Sequence, residues 1–327
     1  MTKIYNYRSK NRLSQKYIIG SFFSICIFFI SISVLPNLRT SFSTQAEEII
    51  SPISFDSVKI ENVPSAPTLK SSVAKKTLEQ IIQEELRGKV GNYSIVIQNL
   101  QSKEKFVFNE HTVYEAASLY KLWVMATTYN LMKDAVINET SILSSDISTL
   151  NRKFNIDPEN AELTEGAISL PVSKAIYQMI TISHNYAALL LTTKIKLSTV
   201  KNFLKENSFL ESELGTANSN PTTTAADIAL FFEKIYDKTL INEEYSNKMV
   251  ETLKAQQLNE KIPKHLNESV QIAHKTGEIG RFSHDAGIIY SPKVDYIFVI
   301  LTETDSPAKT NDIIATLSKK IYLFFTE

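Results

Sequence analysis

A serine and a lysine at helical spacing are the first side chains in this sequence whose types could do covalent chemistry. Ser118 and Lys121 stand at the start of a predicted helix, residues 118–134, and the apolar run 122–126 follows them at once. Because residues i and i+3 share a helix face, the lysine amine can reach the serine oxygen. A desolvated lysine can be neutral near pH 7 and accept the serine proton. The pair therefore predicts a nucleophilic serine with a lysine base.

The surroundings of this pair matter because its spacing is common. A serine stands three residues before a lysine at five positions, Ser72, Ser102, Ser118, Ser198 and Ser306. Chance placement on the surface accounts for most of them. The apolar run after Ser118 distinguishes it, since it predicts a buried helix.

A second short motif lies between two apolar segments, 175–182 and 186–191. Ser183 and Asn185 flank His184 there. They could relay a proton and hold a substrate amide. Alternatively they cap a helix, which serine and asparagine do well.

A third motif, Lys275-Thr276-Gly277, follows a predicted strand at residues 270–274. A lysine and a hydroxyl at a strand edge can bind a carboxylate, and a glycine lets a substrate approach the backbone closely. The next backbone N–H, that of Glu278, could then face a substrate oxygen. The alternative is a strand-to-turn junction with a solvated lysine.

The elements that must position these motifs follow the order helix, strands, helices, strands, helix. Apolar periodicity and strand-forming runs predict helices at residues 77–90, 170–255 (several) and 311–325, and strands at 93–98, 105–109, 270–274, 285–290 and 296–302. This order predicts an α+β fold: an antiparallel β-sheet flanked by N- and C-terminal helices, with an inserted all-α subdomain.

The three motifs in this order carry more information than any one of them. Ser-x-x-Lys, Ser-x-Asn and Lys-Thr-Gly each fall on the expected element, and Thr222-Thr223-Thr224 precedes a predicted helix at 225–236. In these features the chain resembles the penicillin-recognising serine enzymes, most closely the class A β-lactamase family. The resemblance covers residues 76–327.

The resemblance implies that Ser118 is the nucleophile, opening a strained lactam or a peptide amide to form an acyl-enzyme. Lys121 would be its base or proton shuttle. Ser183 would return the proton to the leaving nitrogen. Neither a metal nor an organic cofactor is expected.

The same resemblance implies a set of substrate-binding groups. Asn185 would bind the substrate's side-chain amide, and Lys275 and Thr276, in the Lys-Thr-Gly motif that ends at Gly277, would hold its carboxylate. The backbone N–H groups of Ser118 and Glu278 would form the oxyanion hole.

Two departures from the family pattern bear on turnover. His184 stands where class A β-lactamases carry Asp. The interval from Asn185 to Thr222 is short for the loop whose Glu activates the deacylating water. A local alignment makes Glu211 the candidate base, although Gly215 then replaces an expected Asn; alternatively Glu211 is an acid on a solvated loop. Without a positioned base the acyl-enzyme should be long-lived.

Arg281 and His284 follow the third motif closely. They could bind a substrate carboxylate, or they could be exposed at a turn.

Composition excludes some partners. The chain of 327 residues has 35 Lys+Arg and 35 Asp+Glu, and its first 16 residues hold five of the bases and none of the acids. The remainder is therefore mildly acidic, 30 bases against 35 acids, which makes nucleic acid an unsuitable partner. The single cysteine, Cys26, excludes an intramolecular disulfide and a thiolate zinc cluster.

The N-terminal region predicts attachment to a membrane. Residues 18–35 carry no charge and are rich in Ile and Phe, long enough to cross a bilayer core at about 1.5 Å per residue. The basic flank predicts a cytoplasmic tail (1–16), a single transmembrane signal-anchor (17–36), an extracytoplasmic linker (37–75) and an extracytoplasmic domain (76–327). The alternative is a signal peptide cleaved near residues 44–46.

These observations predict a membrane-anchored serine hydrolase that forms an acyl-enzyme at Ser118 with β-lactams or with cell-wall peptides of the D-alanyl-D-alanine type. The alternative is a non-catalytic domain of the same fold that binds or senses β-lactams or wall material.

Overall fold

The computed structural model describes residues 76–215 and 219–327. The predicted tail, anchor and linker at residues 1–75 lie outside the described residues. Among the helices that are described, none combines the length and the apolar composition needed to span a membrane.

The described residues form nine α-helices, nine strands and one short 3₁₀ turn. In chain order they are α1 (Leu78–Leu86), β1 (Asn92–Asn99), β2 (Lys105–Phe108), β3 (Tyr114–Glu115), the 3₁₀ turn (Ala117–Leu119), α2 (Tyr120–Lys133), β4 (Ile142–Asp146), α3 (Ile147–Lys153), β5 (Ala167–Pro171), α4 (Val172–Thr181), α5 (Asn185–Ile195), α6 (Leu197–Glu206), β6 (Thr222–Thr223), α7 (Ala225–Tyr236), α8 (Glu243–Lys254), β7 (Gln271–Ile279), β8 (Phe282–Tyr290), β9 (Tyr296–Glu303) and α9 (Pro307–Thr326).

The main sheet is antiparallel and has the strand order β2-β1-β9-β8-β7. Strand β1 pairs with β9 along its whole length, so the two ends of the domain share one sheet. Helices α2–α8 fall between β2 and β7 in the chain. The predicted α+β fold, with a helical block inserted between the two halves of the sheet, is confirmed.

The sheet separates two apolar cores because alternate residues of a strand point to opposite faces. On one face Ile95 and Phe298 pack with Leu317 of α9. On the other face Val96 and Val299 belong to the large core that contains the helical block. The terminal helices and the inserted helices therefore cover opposite faces of one sheet.

Strand β7 is longer than its sequence indicates. The predicted strand ended at residue 274, before the Lys-Thr-Gly motif, but β7 continues to Ile279, and Lys275, Thr276 and Gly277 pair with Ala286, Asp285 and His284 of β8. The strand end was predicted too early because polar side chains that are buried in the tertiary structure interrupt the apolar pattern, and the alternative of a strand-to-turn junction with a solvated lysine is wrong.

Candidate active site

Ser118 lies in the 3₁₀ turn between β3 and α2, so the helix begins two residues later than predicted. Ala117, immediately before it, has φ +44°, a left-handed conformation that costs free energy in a residue with a Cβ atom. The turn is held by the Ala116 N–H, which donates to the Pro221 carbonyl at 2.7 Å. The Ser118 hydroxyl makes no hydrogen bond to any residue that the structure describes.

Strand β7 packs directly against this turn at Gly277. A Cβ atom at Gly277 would lie 3.2 Å from the Ala116 carbonyl oxygen and 3.3 Å from the Leu119 side chain. Both contacts are tighter than ordinary van der Waals distances, so glycine is what allows this approach. The approach brings the backbone of Glu278 to the side of the Ser118 turn.

Lys121 is completely buried, and its hydrogen bonds connect two motifs. Its Nζ donates to the Ser183 carbonyl oxygen at 2.6 Å, to Ser183 Oγ at 3.1 Å and to Asn185 Oδ1 at 2.6 Å. A direct hydrogen bond to Ser118 is not among its contacts within the described residues. Burial lowers the pKa of Lys121 to about 7, which makes a neutral amine accessible near neutral pH.

Lys275 also contacts Ser183. Its Nζ donates to Ser183 Oγ at 3.1 Å and to the Thr276 carbonyl oxygen at 2.8 Å. Burial, together with the charge of Lys121, holds the pKa of Lys275 well below its usual value. We call Lys121, Ser183, Asn185 and Lys275 the lysine cluster.

The second motif is a helix start, but the capping group is its middle residue. The His184 side chain accepts a hydrogen bond from the Ala187 N–H at 3.2 Å and caps α5. This arrangement leaves the side chains of Ser183 and Asn185 free to join the lysine cluster. Ser183 has φ +55°, a second left-handed conformation at the site.

Two charged residues at the site carried no sequence signal. Glu162 accepts a hydrogen bond from Asn185 Nδ2 at 2.5 Å, from a loop without periodicity. The side chain of Lys261 is 3% exposed and pairs with Glu278 at 2.5 Å, near enough for its charge to contribute to the lowered pKa of Lys275. Both lie between regular elements, where no motif or apolar pattern identifies them.

Glu211 lies apart from the hydrogen bonds of the lysine cluster. Its carboxylate accepts hydrogen bonds from Thr224 Oγ1 at 2.7 Å and pairs with His111 Nδ1 at 2.9 Å. Partial burial raises the pKa of Glu211, but the hydrogen bonds from Thr224 and His111 outweigh it, so the net pKa is lowered. No member of the lysine cluster is among its partners in the described residues.

Strand register explains this placement. Strands β3 and β6 are antiparallel. Tyr114 therefore pairs with Thr223, whereas Ala116, which is closer to Ser118, bonds to Pro221. Glu211 is bonded to Thr224, beyond the end of this ladder that is farther from Ser118.

Arg281 and His284, which follow the third motif, differ in exposure. The Arg281 side chain is 61% exposed and pairs with Asp305 at 3.0 Å. His284 is completely buried: the Thr302 N–H donates to its Nδ1 at 3.1 Å, and its Nε2 donates to the Glu115 carbonyl oxygen at 2.8 Å. An exposed turn position for His284 is therefore excluded, and both of its ring nitrogens are occupied.

This arrangement is suited to acyl transfer. Ser118, whose hydroxyl has no partner in the described residues, lies three residues before Lys121, and its turn packs on β7, the edge strand that carries Lys275. The part of the chain described here contains no group of three His, Cys, Asp or Glu side chains placed to hold a metal ion. The fold is that of the β-lactamase/transpeptidase class of serine hydrolases, and the cluster contains the residue types that acyl transfer in this class uses.

Comparison with known proteins gives the family. Residues 76–325 match the model of the beta-lactamase enzyme family, and the chain belongs to this family. No curated protein sequence matches the chain.

Solved structures share the fold at low sequence identity. PBP-A is 20% identical, covers 76% of this chain and 95% of its own, and has a TM-score of 0.67. A β-lactamase from Sphaerobacter thermophilus is 20% identical with a TM-score of 0.65, covering 75% and 95%. A variant of PBP-A, also 20% identical with a TM-score of 0.67 and covering 76% and 95%, was solved as an acyl-enzyme complex with penicillin G.

Proposed function

We propose that this protein forms an acyl-enzyme at Ser118 with β-lactams or with cell-wall peptides of the D-alanyl-D-alanine type. The observation that carries the proposal is the double contact of Ser183 Oγ, at 3.1 Å from both Lys121 and Lys275, beside the turn that presents Ser118. Two buried ammonium groups that share one hydroxyl repel each other, which favours a neutral amine on one of them.

Lys121 is the group we propose as the base. Two of its three contacts, the Ser183 carbonyl and Asn185 Oδ1, can only accept hydrogen bonds, and a neutral amine has two N–H groups to give them. Its lone pair can then receive a proton along the third contact, from Ser183 Oγ. Ser183 would thus relay a proton between Lys121 and the substrate.

In the proposed acylation, the proton that leaves Ser118 ends on the leaving nitrogen. Ser118 Oγ attacks the carbonyl carbon while its proton passes to Lys121, directly or through Ser183. The backbone N–H groups of Ser118 and Glu278 stabilise the oxyanion, each worth about 2.7–4 kcal/mol in a tested serine hydrolase. The C–N bond then breaks, and Ser183 delivers the proton to the leaving nitrogen. A β-lactam retains all its atoms in the acyl-enzyme, because its ring opens without losing a group.

We propose that substrate is held by the three remaining polar groups of the site. Thr276, whose hydroxyl makes no hydrogen bond to the described residues, and Lys275 would bind the carboxylate. Asn185 would bind the side-chain amide.

Slow deacylation is part of the proposal. Its support is the placement of Glu211, whose carboxylate is bonded to Thr224 and His111 and not to the lysine cluster. General-base help to the attacking water is worth about 10²–10⁴-fold, so its absence would prolong the adduct. A long-lived adduct is the behaviour of a penicillin-binding protein, and rapid loss is that of a β-lactamase.

We further propose that the domain is exported and tethered to the membrane. The support is the uncharged run at residues 18–35 and the basic segment before it.

The test is to mix the purified full-length protein with benzylpenicillin and to follow the protein mass over time, with Ser118→Ala as the control. We expect an increase equal to the mass of the whole β-lactam, absent from the variant, that persists for many minutes. An adduct that disappears quickly would replace slow deacylation with efficient turnover. No adduct at all would overturn the acyl-enzyme mechanism and leave a non-catalytic binding domain.

A further inference from the structure

We propose that Glu162 makes the site selective for substrates whose acyl side chain carries an ammonium group close to its amide. This inference rests on the proposed function, because it concerns the group that approaches Asn185 during acylation of Ser118.

The Asn185 amide is held from both sides, and the chemistry of its partners fixes its orientation. Its Oδ1 accepts a hydrogen bond from Lys121 at 2.6 Å, and its Nδ2 donates to Glu162 Oε1 at 2.5 Å. A lysine amine donates and a carboxylate accepts, so the reverse orientation would place like groups together. The amide nitrogen that we assign to substrate binding is therefore already bonded to a carboxylate.

The backbone beside Glu162 is anchored to the helical block. The Leu163 N–H donates to the Tyr186 hydroxyl at 3.1 Å, and the Leu163 carbonyl oxygen accepts from Asn151 Nδ2 at 2.8 Å. Tyr186 and Asn151 are both buried. Because Tyr186 follows Asn185 directly in α5, the loop and the amide are positioned by the same helix. The Glu162 carboxylate is thus held at the site, while Glu162 itself is exposed and open to a ligand.

The charges around Glu162 leave it available for a cation. Lys121 interacts electrostatically with Glu162, but its amine is buried and bonded to the oxygen of the Asn185 amide. Residues 154–173 contain no Lys or Arg and four acids, Asp157, Glu159, Glu162 and Glu165. The charge of Glu162 also opposes the effect of burial on the pKa of Lys121, consistent with a carboxylate close to the cluster.

The hydrogen bond between Asn185 and Glu162 affects the binding of neutral and cationic ligands differently. A neutral acyl side chain must share or displace the hydrogen bond between Asn185 and Glu162. A side chain with an ammonium group near its amide can pair with the Glu162 carboxylate while its amide oxygen meets Asn185 Nδ2. Peptides with a free amino group near the scissile end and aminopenicillins share this chemistry.

The test compares benzylpenicillin with ampicillin, which adds one amino group on the carbon next to the side-chain amide. Acylation rate constants of the full-length protein are measured by mass spectrometry, at a pH below the pKa of the ampicillin amine. We expect the ratio of ampicillin to benzylpenicillin rates to fall about three- to fivefold in Glu162→Gln, the range of an exposed ion pair. Glu165→Gln is the matched control, since Glu165 lies on the same loop without a contact to the cluster.

The outcomes separate this inference from the proposed function. Acylation of the wild type with a ratio that Glu162→Gln leaves unchanged overturns the selectivity alone. No acylation by either compound overturns the acyl-enzyme proposal and the inference with it. Glu162→Asp retains the charge and should restore part of the ratio, which a purely structural role of Glu162 would not produce. Added salt should lower the wild-type ratio by screening the pair, and this measurement needs no variant.

Discussion

The lysine cluster and the segment around Glu211 both contain groups that could transfer protons, but their surroundings differ. In the cluster, the side chains of Lys121 and Lys275 are removed from water, and protein oxygens replace their solvation. At Glu211, the carboxylate is 37% exposed and its partner His111 is 67% exposed. Burial shifts the pKa of a lysine by several units, whereas an exposed pair changes little. The difference supports the proposal that the site forms the acyl bond more readily than it hydrolyses it.

The largest expected effect comes from removing the base of the cluster. We expect Lys121→Ala to slow acylation by β-lactams by about 10²–10⁴-fold, the range that general-base catalysis supplies. Lys133→Ala, an exposed position on the same helix, is the control and should leave the rate unchanged. A Lys121 variant that acylates at the wild-type rate would show that another group takes the proton. The rates are obtained from the increase in protein mass with time.

The second prediction asks whether a buried titratable group, His284, also stabilises the fold. Burial lowers the pKa of His284 to about 4, against about 6.5 for a free histidine, so the unfolded chain binds the proton more tightly. The stabilisation that this difference in pKa provides is complete above pH 6.5. It is lost as the pH falls toward 4, which lowers the free energy of unfolding by about 3 kcal/mol.

Urea unfolding at pH 7 and at pH 4.5 measures the stabilisation by His284. We expect His284→Gln to be less stable than the wild type at pH 7 and to lose less stability on acidification. His265→Gln, at an exposed position, should behave as the wild type does. Equal acid sensitivity of the wild type and His284→Gln would assign the pH dependence to other groups.

The pH dependence of acylation sharpens the assignment of the base. Because Lys121 must be neutral to accept a proton, the acylation rate should rise with pH through about 7 and then level off. Glu162 raises the pKa of Lys121, so Glu162→Gln should move this midpoint to lower pH, while Glu165→Gln should not move it. A midpoint that is the same in all three proteins would contradict the coupling between Glu162 and Lys121.

The smallest effect is expected at Glu211. We expect Glu211→Gln to change the lifetime of the acyl-enzyme by less than about fivefold, the size of an exposed ion pair. Glu213→Gln, two residues away, is the matched control. A change of about 10²–10⁴-fold would instead identify Glu211 as the deacylation base, and would mean that its segment moves toward the cluster after acylation. Mass spectrometry after removal of excess penicillin measures both lifetimes.

Much of the fold followed from local patterns, and the deviations have common causes. The helix predicted at residues 225–236 has the bounds of α7, and Thr224 caps it. Alternating and apolar runs located β1, β8 and β9 to within a few residues. The end of β7 was predicted too early because Lys275 and Thr276 interrupt the apolar run, and only their pairing with β8 keeps them in a strand.

The sequence identified only part of the candidate site. The three motifs identified residues that the structure brings together in the lysine cluster, although their roles stay predictions. Glu162 and Lys261 could not be found, because a loop acid and a loop lysine are indistinguishable from solvated surface until their partners are known. The placement of Glu211 depended on a strand register between β3 and β6 that two-residue strands do not encode locally.

The sequence by itself determined the family, the α+β order of elements and the residue types that can do chemistry, because these depend on short-range spacing and on apolar periodicity. The tertiary structure decided which of these groups lose their water and which charges stand next to them. It directed Lys121 to Ser183 and Asn185, placed Glu162 on the Asn185 amide, and bonded Glu211 to His111. Burial and long-range contacts fix pKa values and hydrogen-bond partners, and these act between residues far apart in the chain.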